Sequence, residues 1–121
     1  MILIFGGTTE GRLAAEVAEK AGKPFYYSTL DAAGHVALTN GVELSGGMDA
    51  RGIASFCTRE GIRAIVDAAH PFATALHAGV AAASADTGIP VIRLERVYPP
   101  RNPAVIWCEG WDDALRRLEE A

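Results

Sequence analysis

The chain has 121 residues, half of them apolar and 21% charged, with a formal net charge of −4. This is enough for one domain with a real core, and it has the composition of a soluble globular protein. With no basic run and an acidic balance it predicts no nucleic-acid partner. Its short apolar start, which lacks a basic leader and is broken at Gly6, predicts no signal peptide and no membrane contact, hence a cytoplasmic protein.

Met1–Phe5 is an unbroken apolar run, as expected for a strand covered on both faces. The tight polar turn GGTTEGR, Gly6 to Arg12, leads into a helix over Glu10–Ala21, with Leu13, Val17 and Ala21 on its inward stripe and Gly22 as its stop. Phe25–Ser28 reads as the second strand, and Leu30–Gly41 as loop with at most a short extended piece. Val42–Ser45 predicts a short third strand ending in Gly46-Gly47. Asp49 then caps a helix through Arg59 that turns Ile53, Phe56 and Cys57 inward, and Gly61 ends it. Arg63–Asp67 is the fourth strand. Pro71 opens a helix to about Thr87, with Phe72, Leu76, Val80 and Ala83 on one stripe. Pro90–Leu94 and, after the proline-rich YPPRNP, Val105–Cys108 predict the fifth and sixth strands. The closing WDDALRRLEEA is an amphipathic helix with Trp111, Ala114, Leu115 and Leu118 on its apolar face.

This alternation predicts an α/β fold, an open parallel sheet of five to six strands with right-handed crossovers and helices on both faces. Ligands of such sheets bind beyond the carboxyl ends of the strands, where the strand order reverses. The chemically distinctive residues gather on that rim: Gly6–Gly11 after the first strand, Ser28 and Thr29 after the second, Gly46 after the third, and His70, Pro71 and Phe72 after the fourth. Cys57 and Cys108 form no C-x-x-C pair and read as small buried hydrophobes. The spacing of His35, His70 and His77 predicts no metal site.

The turn itself belongs where a helix start offers backbone N–H groups to an anion. Gly6 and Gly11 are spaced like the outer glycines of G-x-x-x-x-G-K-[ST], but Arg12 stands for the lysine and Leu13 for the hydroxyl that would hold magnesium. A magnesium-nucleotide enzyme is therefore disfavoured. Glycines at 6, 7 and 11 do not make G-x-G-x-x-G either. The turn is a variant compatible with a dinucleotide pyrophosphate, to which the Thr8 and Thr9 hydroxyls add hydrogen bonds, provided that Glu10 points away or caps the helix.

Three stretches, IFGGTTEGRLAA (Ile4–Ala15), VDAAHPFA (Val66–Ala73) and IPVIRLER (Ile89–Arg96), resemble in order and spacing the precorrin-6A and cobalt-precorrin-6A reductases of corrin (cobalamin) synthesis. The resemblance implies a Rossmann-like fold and reduction of one double bond of a partly methylated tetrapyrrole by NADPH or NADH. Members of that family have two Rossmann-like halves with the site between them, and this chain resembles the N-terminal half. A missing C-terminal domain or a second chain would complete the site. Where the family continues R-L-E-R-P, Val97 follows Arg96 here. The resemblance places Gly6, Gly7, Thr8, Thr9, Glu10 and Gly11 in the cofactor loop and His70, Pro71 and Phe72 at the rim. Within that setting, Ser28 and Thr29 end the second strand without an acid, which leans towards NADPH, although Asp31 lies near the place of a ribose-binding carboxylate. His70 is the candidate catalytic residue as proton donor, weighed against the favoured bland reading that it orients the loop or binds cofactor phosphate. Arg93, Arg96 and Arg101 are candidates for the carboxylates of a tetrapyrrole. A non-catalytic dinucleotide-binding or redox-sensing module remains the competing reading of the whole chain.

Overall fold

The computed structural model describes residues 1–30, 38–95, 104 and 110–120. Its sheet holds strands β1 (Ile2–Phe5), β2 (Phe25–Thr29), β3 (Gly41–Ser45), β4 (Ala64–Asp67) and β5 (Val91–Arg93), all parallel, in the order β3-β2-β1-β4-β5. Helices α1 (Thr9–Lys20), α2 (Ala50–Glu60) and α3 (Thr74–Thr87) join successive strands, and α4 (Trp111–Glu120) comes last. The expected α/β fold is present. The sixth predicted strand, Val105–Cys108, lies outside the described residues, as do Asp31, His35, Arg96 and Arg101.

β1 is central, and its side chains feed two cores in alternation, as the strand period of two requires. Leu3 and Phe5 pack with Ile53, Phe56 and Cys57 of α2 and with Val80 and Ala83 of α3. Ile4 points the other way, onto Ala15 and Ala18 of α1 beside Phe25 and Tyr27 of β2. α1 therefore covers one face, and α2 and α3 the other. Asp49 caps α2 as expected, its carboxylate accepting from Gly52 N–H at 2.7 Å, and Gly61 closes the helix with a φ of 66°. Burial pushes the Cys57 thiol pKa up, in keeping with a packing role.

Three expectations are corrected. In α1 the buried face is Gly11, Ala15 and Ala18, while Leu13 and Val17 are 54% and 67% exposed. A Cβ on Gly11 would fall 2.6 Å from the Gly6 Cα, so the helix sits too close to β1 for a bulky stripe to face inward. α3 begins at Thr74 rather than Pro71, because residues 70–73 form a turn in which Ala73 N–H donates to the His70 carbonyl at 2.9 Å. Phe72 thereby leaves the stripe and is 54% exposed, whereas Val80 and Ala83 are buried as expected. In α4, Trp111, Leu115 and Leu118 are exposed, since no described residue covers that face. Among the described residues no helix is long and apolar enough to cross a membrane.

Glu19 ties α1 to the edge of the sheet. Its carboxylate accepts from the backbone N–H groups of Thr39, Asn40 and Gly41 at 2.7–3.1 Å and from the Asn40 side chain. Desolvation alone would raise its pKa, but these hydrogen bonds outweigh it and hold the carboxyl below the ordinary value. A depressed native pKa contributes stability above the unfolded-state pKa and loses it as pH falls through the native value. Glu19→Gln is therefore expected to lower stability at neutral pH, with the deficit shrinking below about pH 4. Urea unfolding of both proteins at the two pH values checks this.

Candidate functional site

The strand order reverses between β1 and β4, so the two loops leaving them flank one crevice. Ala68 N–H donates to the Phe5 carbonyl at 2.9 Å, extending the pairing to the mouth of that crevice. The β1 loop then rises through Gly7, whose φ of 90° is open to glycine and costly to other residues. Thr8 is the N-cap of α1, and its hydroxyl has two jobs: Oγ1 accepts from Gly11 N–H at 3.0 Å and donates to the Ala68 carbonyl at 2.5 Å. One side chain thus caps the helix and staples the β1 loop to the β4 loop. The Tyr27 hydroxyl accepts from Gly7 N–H at 3.2 Å and supports the loop from β2.

These loops enclose a cleft of about 350 Å3. Residues Gly7, Thr8, Thr9 and Glu10 form one wall with Arg12, and Ala68 to Pro71 form another. Tyr27 and Ala68, each 1% exposed, lie in its floor, and Leu94 and Glu95 follow from β5. The Thr9 backbone N–H has no partner among the described residues and sits in the first turn of α1, where the helix dipole favours an anion. Arg12, one turn on, adds a cation to the same wall.

The second wall is built from side chains as well as backbone. Phe72 N–H donates to His70 Nδ1 at 3.1 Å, and the two rings meet edge to face at 5.1 Å. Because Nδ1 accepts, the proton of the neutral His70 ring is on Nε2. Behind it, the His77 Nδ1 lies 2.6 Å from Asp67 Oδ2, and the His77 Nε2 lies 2.9 Å from the His70 carbonyl. Asp67 is 2% exposed, and its second oxygen accepts from Ala69 N–H at 3.3 Å.

A family model described as precorrin-6x reductase CbiJ/CobK matches residues 1–119. The chain belongs to that family. It is 33% identical over 96 residues to the precorrin-6A reductase of Rhodobacter capsulatus, an alignment covering 78% of this chain and 38% of that protein. It is 34% identical over 98 residues to the cobalt-precorrin-6A reductase of Priestia megaterium, covering 79% and 38%. A solved structure of CobK precorrin-6A reductase superposes with a TM-score of 0.75 at 30% identity, covering 88% of this chain and 43% of that one. The chain therefore spans about two-fifths of the length of these precorrin-6x reductase relatives.

Within this family member, the cleft gathers Gly7, Thr8, Thr9, Glu10, His70 and Pro71 of the expected site residues. Gly6 and Gly11 lie beneath the loop, where the missing Cβ of Gly11 permits the close approach of α1 to β1 and that of Gly6 leaves room for the Tyr27 ring. Ser28 and Thr29 are buried at the end of β2. The Ser28 carbonyl accepts from Gly6 N–H at 2.8 Å, and the Thr29 carbonyl accepts from Gly46 N–H at 3.1 Å. These two residues, Gly46 and Phe72 stand outside the cleft walls. Arg93 pairs with Glu95 at 2.6 Å. Sequence reasoning did not single out Tyr27, which reads as strand core, or the Asp67–His77 pair. No local pattern marks the latter, because Asp67 and His77 are 10 residues apart across the turn that precedes α3.

Proposed function

We propose that this chain is the dinucleotide-binding half of a cytoplasmic enzyme that reduces one double bond of precorrin-6A or cobalt-precorrin-6A with NADPH or NADH. Family membership supports the activity, and the observation that carries the cofactor is the β1 loop. There a glycine with positive φ, the Thr9 N–H in the first turn of α1 and Arg12 converge on one cleft wall, which Glu10 shares. Gly7, Thr8 and Thr9 would hold the pyrophosphate, with Gly6 and Gly11 giving the loop its shape. Ser28 and Thr29 end β2 without an acid, which leans towards NADPH, against Asp31 two residues on, which suits NADH.

The bound dinucleotide supplies a hydride. The chain's part is to orient it and to meet charge that develops on the macrocycle. His70 presents Nε2–H for the latter, donating a hydrogen bond to the atom gaining electron density, and water would supply the proton that, with the hydride, saturates the bond. A cleft of about 350 Å3 is at the small end of ligand pockets, which run from roughly 300 to 1,000 Å3, so it takes part of a dinucleotide and leaves the macrocycle to further structure. A C-terminal domain or a second chain would supply that structure.

The test is a titration of NADPH and NADH into the protein by calorimetry, followed by addition of precorrin-6A and observation of the reduced-nicotinamide absorbance. Tighter binding of NADPH, with loss of that absorbance once the remaining half is present, is the expected result. Binding without oxidation in the completed enzyme would favour the non-catalytic dinucleotide-binding module, and absence of binding would refute both.

A further inference from the structure

The loop that carries His70 is held from behind by two titratable side chains that the reaction itself does not use. Asp67 ends β4 and holds three segments around the second wall. Its Oδ1 accepts from Ala69 N–H, its backbone carbonyl accepts from Leu94 N–H at 3.0 Å, and its Oδ2 faces His77 at 2.6 Å. His77, one turn inside α3, completes the circuit at the His70 carbonyl. A carbonyl only accepts, so His77 Nε2 must carry a proton. The 2.6 Å contact at Nδ1 then has one further proton between ring and carboxylate. The side chains of Asp67 and His77 are 3% and 10% exposed, so water does not compete well for the bond between them.

We propose that Asp67 and His77 are a positioning pair that fixes the backbone of His70, and through it the Nδ1···H–N bond to Phe72 that leaves Nε2–H as the donor. This rests on the role given to His70 in the proposed reaction. The geometry is specific to it. A purely structural ion pair would need only the Asp67–His77 contact, whereas here the far nitrogen of His77 is spent on the one carbonyl that belongs to the cleft histidine. The same carbonyl also accepts from Ala73 N–H, so the turn before α3 is closed by both backbone and side chain.

The test uses the 15N-labelled chain without cofactor, reading histidine ring nitrogens by two-bond 1H–15N correlation. In the wild type, His70 is expected as a single Nε2–H tautomer and His77 with a slowly exchanging Nε2 proton. In His77→Gln, one amide cannot serve Asp67 and the His70 carbonyl together, so His70 should become a mixture of tautomers and the Phe72 amide should lose protection. NADPH affinity should fall about five-fold, the effect of one hydrogen bond at a cleft wall. Asp67→Asn keeps the shape, and it should leave the His70 tautomer intact while removing the proton held between His77 Nδ1 and the carboxylate. A mixed His70 ring in the wild type, or an unchanged one in His77→Gln, would overturn the proposal, and the wild-type spectrum decides even where a variant does not fold. Should NADPH fail to bind at all, the cofactor reading falls, while the ring spectra still judge the pair.

Discussion

Gly11→Ala is expected to destabilise the protein by about 1–3 kcal/mol and to weaken dinucleotide binding with it. In an exposed helix interior the same change would stabilise by up to about 1 kcal/mol, because alanine is the better helix former. The sign is decided by what the new methyl meets. At Gly11 its first neighbour is the Gly6 Cα at 2.6 Å, a backbone atom. Gly6 cannot retreat, since its N–H is bonded to the Ser28 carbonyl and the Tyr27 ring lies against it. α1 must therefore move away from β1, carrying the Thr8 cap and the Thr9 N–H out of place. Gly79→Ala is the control. Its methyl would meet Ala50 and Ile53 no closer than 3.5 Å, ordinary contact, so propensity should win and stability should hold or rise. Thermal melts of the two variants with the wild type check both signs.

How far the sequence reveals these features depends on how local their causes are. The strands and helix ends follow from short-range chemistry: apolar runs for β1 and β4, Asp49 and Gly61 at the ends of α2. The inward face of α1 does not, because Leu13, Val17 and Ala21 make the stronger periodic stripe while the real contact is set by a glycine pair brought together across the β1–α1 turn. Pro71 suits a first helical turn, yet the turn at residues 70–73 is held by His77, which acts from within the helix it precedes. At the site, the β1 loop and the β4 loop were recognisable from their residues. Their stapling through the Thr8 hydroxyl was not, since Thr8 and Ala68 are 60 residues apart. Ser28, Thr29 and Gly46 share the rim as topology requires, but their backbones are spent on supporting the β1 loop and β3.

The second large effect is expected at His70. In the completed enzyme, His70→Ala should lower turnover by about a hundred-fold, the usual cost of removing one donor aimed at developing charge. NADPH affinity should change far less, because the pyrophosphate is held by the β1 loop. His70→Gln retains an N–H donor and should recover part of the loss. Single-turnover rates and calorimetric affinities for the three proteins separate these outcomes. Equal losses in rate and affinity on His70→Ala would make His70 a cofactor ligand instead.

The central claim, that the loop Gly6–Gly11 holds a nicotinamide dinucleotide against the β4 loop, is tested most directly by titrating NADPH into the 15N-labelled chain and following backbone amides. The account predicts saturable shifts concentrated at Gly7, Thr8 and Thr9, with a second group at Ala69 and His70 across the cleft. Saturating NADPH that leaves the Gly7–Thr9 amides unmoved would contradict it.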